Sequence, residues 1–258
     1  MTEPALQSQP PPLPRPRADW AWFLDLDGTL LDIAASPSHV DVPEGLVPTL
    51  SSLRAAAHGA LAVVSGRQVQ QLRTLLEPLR PAAAGLHGLE IVTPDGLRHG
   101  TKKPLPPVGN LRRLLQEAVA EIPGVEFENK GPALAIHYRQ VPSAFAQLRR
   151  IVDAAAVRHR GFELLEGKMV FEFRPRDIHK GTAIREFMAI PPFAGRVPFF
   201  AGDDRTDEDG FRMVHEMGGL SVRVGDADQP TAAGHTIESP AALRLWLAEA
   251  AEMLRRKP

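Results

Sequence analysis

The fold is decided by Trp20-Ala21-Trp22-Phe23-Leu24-Asp25-Leu26-Asp27-Gly28-Thr29. The apolar first half of this stretch is typical of a strand that is buried on both faces of a parallel sheet. Because side chains alternate along a strand, Asp25 and Asp27 are expected to project to one side at its end. Gly28 lets the backbone turn immediately afterwards. The stretch therefore predicts a buried strand that ends in two carboxylates.

Two later stretches repeat this pattern of an apolar run followed by polar residues. Residues 60–64 run into Ser65-Gly66-Arg67, ahead of a helix predicted over 68–79, and residues 197–201 run into Gly202-Asp203-Asp204. In open parallel α/β sheets the functional site lies beyond the carboxyl ends of the strands. We therefore expect one site that combines Asp25, Asp27, Ser65 and Asp203.

The composition of the 258 residues excludes several classes of protein. Lys and Arg number 30 against 31 Asp and Glu, so the chain lacks the basic excess of a nucleic-acid-binding protein. The absence of Cys excludes disulfides, thiolate zinc sites and a thiol nucleophile. No apolar run is long enough to span a membrane. We expect a cytoplasmic protein with neither a nucleic-acid nor a membrane partner.

Converging carboxylates need a cation. They repel one another and raise one another's pKa unless a metal ion joins them, and a set of oxygen ligands favours Mg²⁺. A calcium EF-hand is the alternative, but Arg205 follows Asp203 two positions later and breaks the required spacing. We therefore expect Mg²⁺ as the cofactor.

The chemistry that fits these residues is phosphoryl transfer to a carboxylate. Asp25 is predicted to attack phosphorus and form an aspartyl-phosphate. Asp27 is predicted to protonate the leaving sugar oxygen and then to activate the hydrolytic water. Ser65 would donate a hydrogen bond to a phosphate oxygen, and Lys180 would supply fixed positive charge.

These residues resemble the motifs of the haloacid dehalogenase (HAD) superfamily. Residues 25–29 resemble its first motif, Ser65 its second, Lys180 its third and residues 202–204 its fourth, in the family's order. The second acid, Asp27, resembles the phosphatases and mutases of that superfamily. The resemblance implies an α/β fold with a HAD-like Rossmannoid parallel-sheet core and an inserted α/β cap.

Over residues 20–245 the chain resembles, more narrowly, the trehalose-6-phosphate phosphatases. The similar stretches are Ser65-Gly66-Arg67, Gly85-Leu86-His87-Gly88-Leu89-Glu90, Glu128-Asn129-Lys130, His137-Tyr138-Arg139 and residues 202–211. Two positions depart from the family: Leu26 stands where an aromatic residue is usual, and His179 where Asn usually precedes Lys180. We expect Leu26 to be harmless on the buried side.

The family resemblance implies Mg²⁺-dependent hydrolysis of trehalose 6-phosphate in trehalose biosynthesis. It implies metal ligation by Asp25, Asp27 and Asp203, with Asp204 and Asp207 supporting. Further phosphate and substrate contacts are implied for Thr29, Gly66, Arg67 and His87. A trehalose-6-phosphate synthase is the candidate partner, and we expect a monomer.

Several polar residues near these motifs have open roles. Asp207 is predicted to orient either Lys180 or a metal-bound water, whereas Glu208 and Asp209 are expected to be solvated or to cap a helix. His87 and Glu90 are predicted either to line the cleft or to form a structural pair.

The predicted domains are a Pro-rich disordered tail (1–17), a catalytic core (18–100 and 174–258) and a cap (101–173) that closes over the sugar. The cap is predicted to order as helix, two strands, helix, two strands. Its strands alternate an apolar face with a polar one, and alternation alone also fits any sheet with one wet face. With the family resemblance, the polar face is predicted to bind the sugar through Glu128, Lys130, His137, Arg139, Lys168 and Glu172.

Two alternative functions stay open from the sequence. Another sugar-phosphate phosphatase or mutase of the superfamily, such as one acting on sucrose phosphate, would share the same core chemistry. A non-catalytic sugar-phosphate sensor would keep the fold, but it would not need a nucleophile together with its acid.

Overall fold

The computed structural model describes residues 13–33, 40–100, 104–167, 169–226 and 229–256. The strands in chain order are β1 (Trp20–Leu24), β2 (Leu61–Val64), β3 (Ala82–Gly85), β4 (Glu90–Val92), β5 (Arg98–Gly100), β6 (Glu126–Asn129), β7 (Leu134–His137), β8 (Phe162–Gly167), β9 (Val170–Pro175), β10 (Val197–Gly202), β11 (Leu220–Val224) and β12 (His235–Ile237). The helices are α1 (Leu46–Ala56), α2 (Val69–Leu75), α3 (Gly109–Val119), α4 (Phe145–Arg158), α5 (Lys180–Met188), α6 (Glu208–Glu216) and α7 (Pro240–Arg255).

The chain divides into two compact units. The core unit comprises Met1–His99 with His179–Pro258, and the cap unit comprises Gly100–Ile178. In the part of the chain that the structure describes, no helix is long and apolar enough to cross a membrane.

Strand β1 lies inside the core unit's eight-stranded sheet, whose order is β12-β11-β10-β1-β2-β3-β4-β5. The strands from β12 to β3 pair in parallel, and β4 pairs antiparallel with β3. The carboxyl ends of β10, β1 and β2 therefore meet at one edge of the sheet, where the sequence predicts the site. The predicted parallel α/β core is confirmed.

Strand β1 is buried on both faces, as its continuous apolar sequence predicts. On one face, the ring centroid of Trp22 lies 5.9 Å from that of Trp246 in α7. On the other face, Phe23 lies 6.0 Å from Phe187 in α5. Helices thus cover both faces of the sheet and bury its large aromatic side chains, which stabilises the core.

The cap unit combines helices α3 and α4 with a four-stranded antiparallel sheet in the order β6-β7-β9-β8. Its elements follow one another as helix, two strands, helix and two strands, which is the predicted order. Ile136, Tyr138, Phe171 and Phe173 lie on one face of the sheet and are buried in the cap's own apolar cluster. The predicted alternation therefore holds, and the opposite face is left for polar side chains.

The second boundary of the cap lies later in the chain than predicted. The sequence analysis ends the cap before Arg174, whereas the structure keeps residues 174–178 with it. Strand β9 continues to Pro175, and the Arg176 side chain donates to the carbonyl oxygens of Arg160 and Phe162 within the cap. These contacts fix the segment to the cap unit.

Two other predicted boundaries need correction. The predicted tail (1–17) lies mostly outside the described residues, but Leu13 packs against the core cluster and Pro16 is buried, so the tail ends earlier than predicted. Helix α2 ends at Leu75 instead of residue 79, since Pro78 disfavours a helical conformation in the residue before it.

Candidate active site

A group of buried charges lies beyond the carboxyl ends of β1 and β10. Lys180, the first residue of α5, donates to Asp25 Oδ1 and to Asp207 Oδ1, each at 2.7 Å. The side chains of Lys180, Asp25 and Asp207 are 3%, 5% and 0% exposed. A charge buried this deeply is tolerated only when it is paired and hydrogen-bonded. The ammonium and the two carboxylates therefore form one fixed ion-pair group.

Asp203 joins this group through Thr29. The Thr29 hydroxyl oxygen lies 3.2 Å from Asp25 Oδ2 and 3.1 Å from Asp203 Oδ1. Carboxylate oxygens of Asp25, Asp203 and Asp207 all lie within 4.8 Å of one another. Hard oxygen ligands in a compact set are what Mg²⁺ and similar cations require. These residues therefore fit a divalent cation.

The protonation of these carboxylates is unusual. Burial raises the pKa of Asp25 to about 7, against the lowering effect of the Lys180 ammonium. Burial, together with the neighbouring carboxylates of Asp207 and Asp204, raises the pKa of Asp203 to about 7. A cation bound among these groups would favour their ionised forms and lower each pKa.

Lys180 keeps its charge. Burial alone would lower the pKa of its ammonium, but the carboxylates of Asp207 and Asp25 outweigh burial and hold that pKa well above its ordinary value. The residue therefore supplies a permanent positive charge beside Asp25.

Position 28 must be glycine because the Asp203 side chain lies close to its backbone. Its φ is +82°, and a Cβ at this position would lie 2.0 Å from Asp203 Oδ2. Any L side chain would strain the backbone and displace that carboxylate. Gly28 thus serves both the predicted turn and a close contact that the sequence does not reveal.

Asp207 organises the loop that follows β10. Its Oδ2 accepts the backbone N–H groups of Asp203 and Asp204 at 3.0 and 3.1 Å, while its Oδ1 accepts from Lys180. Asp204 caps the short 3-10 turn Arg205–Asp207 by accepting from the Thr206 amide at 2.8 Å. Asp207 therefore orients Lys180, which is one of its two predicted roles, and Asp204 acts on the local backbone.

Asp27 is placed differently from the prediction. Its Oδ2 and Oδ1 accept from Nε and Nη2 of Arg67 at 2.6 and 2.7 Å, and its side chain is 40% exposed. Asp207, and not Asp27, completes the group of three carboxylates. Strand β1 ends at Leu24, so the alternation that would align Asp25 with Asp27 no longer applies. The Asp27 side chain is thus held by Arg67 in this structure, and metal ligation by Asp27 stays a prediction.

The loop after β2 lies at the same edge of the sheet. The Ser65 Oγ accepts the Arg67 amide at 3.2 Å, and the Ser65 carbonyl accepts the His87 amide at 3.0 Å. A Cβ on Gly66 would lie 2.8 Å from the His87 ring, so these two residues pack tightly together. Among the described residues, no hydrogen bond joins Ser65 to the carboxylate group. The structure thus brings Ser65, Gly66, Arg67 and His87 together as a second cluster.

Two acids with open roles have structural partners. Glu90 Oε2 accepts the Val69 amide at 2.8 Å, at the start of α2. Glu208 accepts from Thr231 Oγ1 and from the Ala232 amide, both at 2.7 Å, and its side chain is only 14% exposed. The prediction that Glu208 is solvated or a helix cap is wrong, because its partners come from a distant loop.

The two departures from the family pattern are accommodated. Leu26 is fully buried, as expected for a residue on the apolar side. His179 precedes α5 as its N-cap residue, and its amide donates to Thr182 Oγ1 at 3.1 Å. The histidine therefore leaves the start of α5, and with it Lys180, in a regular capped helix.

The polar face of the cap sheet carries a second group of paired charges. Lys130 Nζ lies 3.3 Å from Glu172 Oε1 and 3.8 Å from Glu128 Oε2. His137 Nε2 lies 2.9 Å from Glu128 Oε2, and this hydrogen bond lowers the pKa of Glu128. Glu128 and Glu172 flank the small Ala135 in the strand register. Of the other predicted sugar contacts, Arg139 is exposed and Lys168 lies outside the described residues.

Comparison with known proteins identifies the family. The family model described as Trehalose-phosphatase matches residues 23–240. The trehalose-6-phosphate phosphatase of Escherichia coli is 40% identical over 225 residues, which cover 87% of this chain and 83% of that protein. This chain belongs to the trehalose-phosphatase family.

Solved structures agree on the fold of this trehalose-phosphatase family member. The C-terminal domain of C. albicans trehalose-6-phosphate phosphatase superposes with a TM-score of 0.81 at 21% identity, covering 92% of this chain and 93% of that one. A haloacid dehalogenase-like hydrolase from Bacteroides thetaiotaomicron gives a TM-score of 0.67 at 16% identity, covering 92% of this chain and 100% of that one. The HAD-like fold predicted from the motifs is confirmed.

Proposed function

We propose that the protein hydrolyses trehalose 6-phosphate to trehalose and inorganic phosphate. One observation carries the proposal: in a chain of the trehalose-phosphatase family, the buried Asp25 carboxylate is paired at 2.7 Å with the buried Lys180 ammonium, inside a compact carboxylate group. Transfer of a phosphoryl group needs a nucleophile, fixed positive charge and a cation site in one place. These three features coincide here.

Asp25 and Asp203 are the proposed ligands of Mg²⁺. Both oxygens of Asp207 already accept hydrogen bonds, from Lys180 and from two backbone amides. In contrast, Asp25 Oδ2 has, among the residues that the structure describes, only the 3.2 Å contact with the Thr29 hydroxyl, which leaves it able to ligate. When bound, Mg²⁺ would neutralise charge and polarise the phosphate.

The reaction is proposed to proceed in two steps on the residues of this chain. In the first, the Asp25 carboxylate forms a bond to phosphorus while the bond from phosphorus to the sugar oxygen breaks, and Asp27 gives that oxygen a proton. In the second, water attacks phosphorus, Asp27 accepts a proton from it, and the bond between Asp25 and phosphorus breaks. Lys180 offsets the negative charge of Asp25 and of the phosphate throughout.

Arg67 is proposed to serve both the acid and the phosphate. Its guanidinium donates to both oxygens of Asp27 in this structure and therefore fixes the orientation of that side chain. A phosphate dianion is an equally good partner for the same planar group. Ser65 is proposed to add a hydrogen bond to the phosphate.

Recognition of the sugar is assigned to the polar face of the cap sheet. Lys130 and His137 can donate to sugar hydroxyls, and Glu128 and Glu172 can accept from them. A hydroxyl-rich, uncharged sugar fits this mixture of donors and acceptors.

The test compares phosphate release from trehalose 6-phosphate, glucose 6-phosphate, sucrose 6-phosphate and p-nitrophenyl phosphate, with Mg²⁺ and with a chelator. Among the sugar phosphates we expect release from trehalose 6-phosphate alone, dependent on Mg²⁺ and abolished by Asp25→Asn. Equal release from all three sugar phosphates would contradict the assignment of the cap. No release from any substrate would favour a non-catalytic sugar-phosphate sensor.

Two cap variants separate sugar recognition from the chemistry. Glu172→Gln is expected to lower kcat/KM for trehalose 6-phosphate by about 10- to 100-fold, because it weakens charged hydrogen bonds, and to leave p-nitrophenyl phosphate hydrolysis unchanged. Glu166→Gln is the matched control: Glu166 pairs with Phe171, from the opposite face, in the register of β8 and β9. It is expected to leave both substrates unaffected.

A further inference from the structure

Glu208 lies outside the carboxylate group but holds a distant segment beside it. It is the first residue of α6 and directly follows Asp207. Glu208 Oε1 accepts from the Thr231 hydroxyl and Oε2 from the Ala232 amide, both at 2.7 Å. Both of its carboxylate oxygens are thus used to hold the connection between β11 and β12 against the start of α6.

Arg223 of β11 completes the link from Glu208 to the sheet. Its Nη1 lies 3.5 Å from Glu208 Oε1, and its Nη2 donates to Gln229 Oε1 at 2.8 Å. The side chains of Arg223 and Glu208 are 9% and 14% exposed. In the register of β10 and β11, Arg223 stands beside Gly202, the residue before Asp203.

These contacts close a ring of four residues around the end of β10. Gly202 is packed on Asp207, since a Cβ at Gly202 would lie 2.3 Å from the Asp207 Cγ. Gly202 pairs with Arg223 in the sheet, Arg223 contacts Glu208, and Glu208 is bonded to Asp207 through the chain. Of the links in this ring, the ion pair of Glu208 with Arg223 is the one in which both partners are side chains, so a substitution can remove it.

We propose that Glu208 is a positioning residue for the cation site. By fixing the start of α6 against β11, it fixes Asp207, which in turn holds Lys180 and the amide of Asp203. Groups that orient the ligands of a metal typically contribute about 10- to 100-fold to its affinity. This inference rests on the proposed cation site, and it extends that site to a residue that touches neither the cation nor the substrate.

The test measures Mn²⁺ binding to the full chain without substrate, using electron paramagnetic resonance to distinguish bound from free ion. Glu208→Gln is expected to weaken Mn²⁺ binding about tenfold. Glu163→Gln is the matched control, because Glu163 pairs with the buried Arg174 at 3.0 Å inside the cap unit. It likewise weakens a carboxylate–arginine pair, and it is expected to leave the Mn²⁺ dissociation constant unchanged.

A milder variant keeps the test decisive if Glu208→Gln fails to fold. Thr231→Val removes one donor to Glu208 and is expected to weaken Mn²⁺ binding about threefold, as the loss of one hydrogen bond predicts. If the folded Glu208 and Thr231 variants bind Mn²⁺ as tightly as the wild type and show only a lower Tm, as expected for Glu163→Gln, the positioning role of Glu208 is contradicted. The proposed cation site itself would still stand. A wild-type protein that binds no Mn²⁺ would overturn the proposed cation site as well.

Discussion

The core and cap units each pair one lysine with two carboxylates, but they bury these charges to different degrees. Lys180 Nζ lies 2.7 Å from both of its partners, and none of the three side chains is more than 5% exposed. Lys130 Nζ lies 3.3 and 3.8 Å from its partners, and those side chains are 16%, 13% and 45% exposed. Charges withdrawn from water interact strongly and are fixed, whereas partly exposed charges at longer distances can exchange partners. The first arrangement suits a reaction, and the second suits recognition of hydroxyls.

The largest expected difference is in the loss of activity when each of the two lysines is replaced. Lys180→Met should reduce kcat by about a thousandfold, because it removes a preorganised positive charge from the reacting carboxylate. Lys130→Met should reduce kcat/KM by about tenfold, mainly through KM, because it removes a charged hydrogen-bond donor to the sugar. Phosphate release from trehalose 6-phosphate measures both.

Stability provides the control for this comparison. Lys180→Met leaves Asp25 and Asp207 buried without their cation, which is expected to cost about 3 to 5 kcal/mol of unfolding free energy. Urea unfolding would establish the concentration range in which the variant is folded, and Lys180→Gln is the alternative if it is not. A Lys130 variant that loses as much kcat as the Lys180 variant would contradict the division between reaction and recognition.

A pH effect on stability is expected from the core group, opposite in direction to the effect of the lowered pKa of Glu128 in the cap group. Burial raises the pKa of Asp25 and Asp203 from 3.8 to about 7. Between these values the folded protein binds more protons than the unfolded chain, so the contribution of the two groups to stability is complete below pH 3.8 and is lost as the pH rises through 7. Added Mg²⁺ should reduce this loss, because it binds the ionised carboxylates.

The measurement is Tm against pH in the presence of a chelator, for the wild type and for two variants. Asp203→Asn should reduce the decline of Tm from acid to neutral pH, since it removes one of the carboxyl groups whose pKa burial raises. Glu166→Gln, which changes an exposed carboxylate of the cap, should keep the wild-type decline. Identical profiles for the wild type and Asp203→Asn would show that burial of Asp203 does not couple to folding.

The sequence predicts best those parts of the site that follow regular strands. Asp25 and Asp203 come directly after apolar runs, so parallel-sheet geometry predicts that they meet. The cap acids Glu128 and Glu172 follow from alternation along β6 and β9, and both lie on the polar face. In each case a repeating local geometry connects the sequence position to the direction of the side chain.

The residues that escaped prediction lie where regular geometry ends. Asp27 comes after the end of β1, in a turn where side chains do not alternate regularly. Arg67, which follows β2, donates to its carboxylate. Glu208 meets Thr231 across 23 positions of the chain, and no local pattern encodes that contact. The closeness of Gly28 to Asp203 likewise depends on the assembled sheet. Tertiary packing, and not local propensity, decides all three.

The smallest effect is expected from a group of ion pairs whose distances match those of the Lys180 group. Arg149 lies 2.8 Å from Asp153 and 2.6 Å from Glu166, yet these side chains are 44%, 48% and 38% exposed. Water and salt screen such pairs, so Arg149→Ala should change neither the kinetics nor the midpoint of urea unfolding measurably. If Arg149→Ala instead destabilised the protein as much as Lys180→Met, separation between charges would outweigh burial, and the contrast between the core and cap groups would have to be explained by geometry alone.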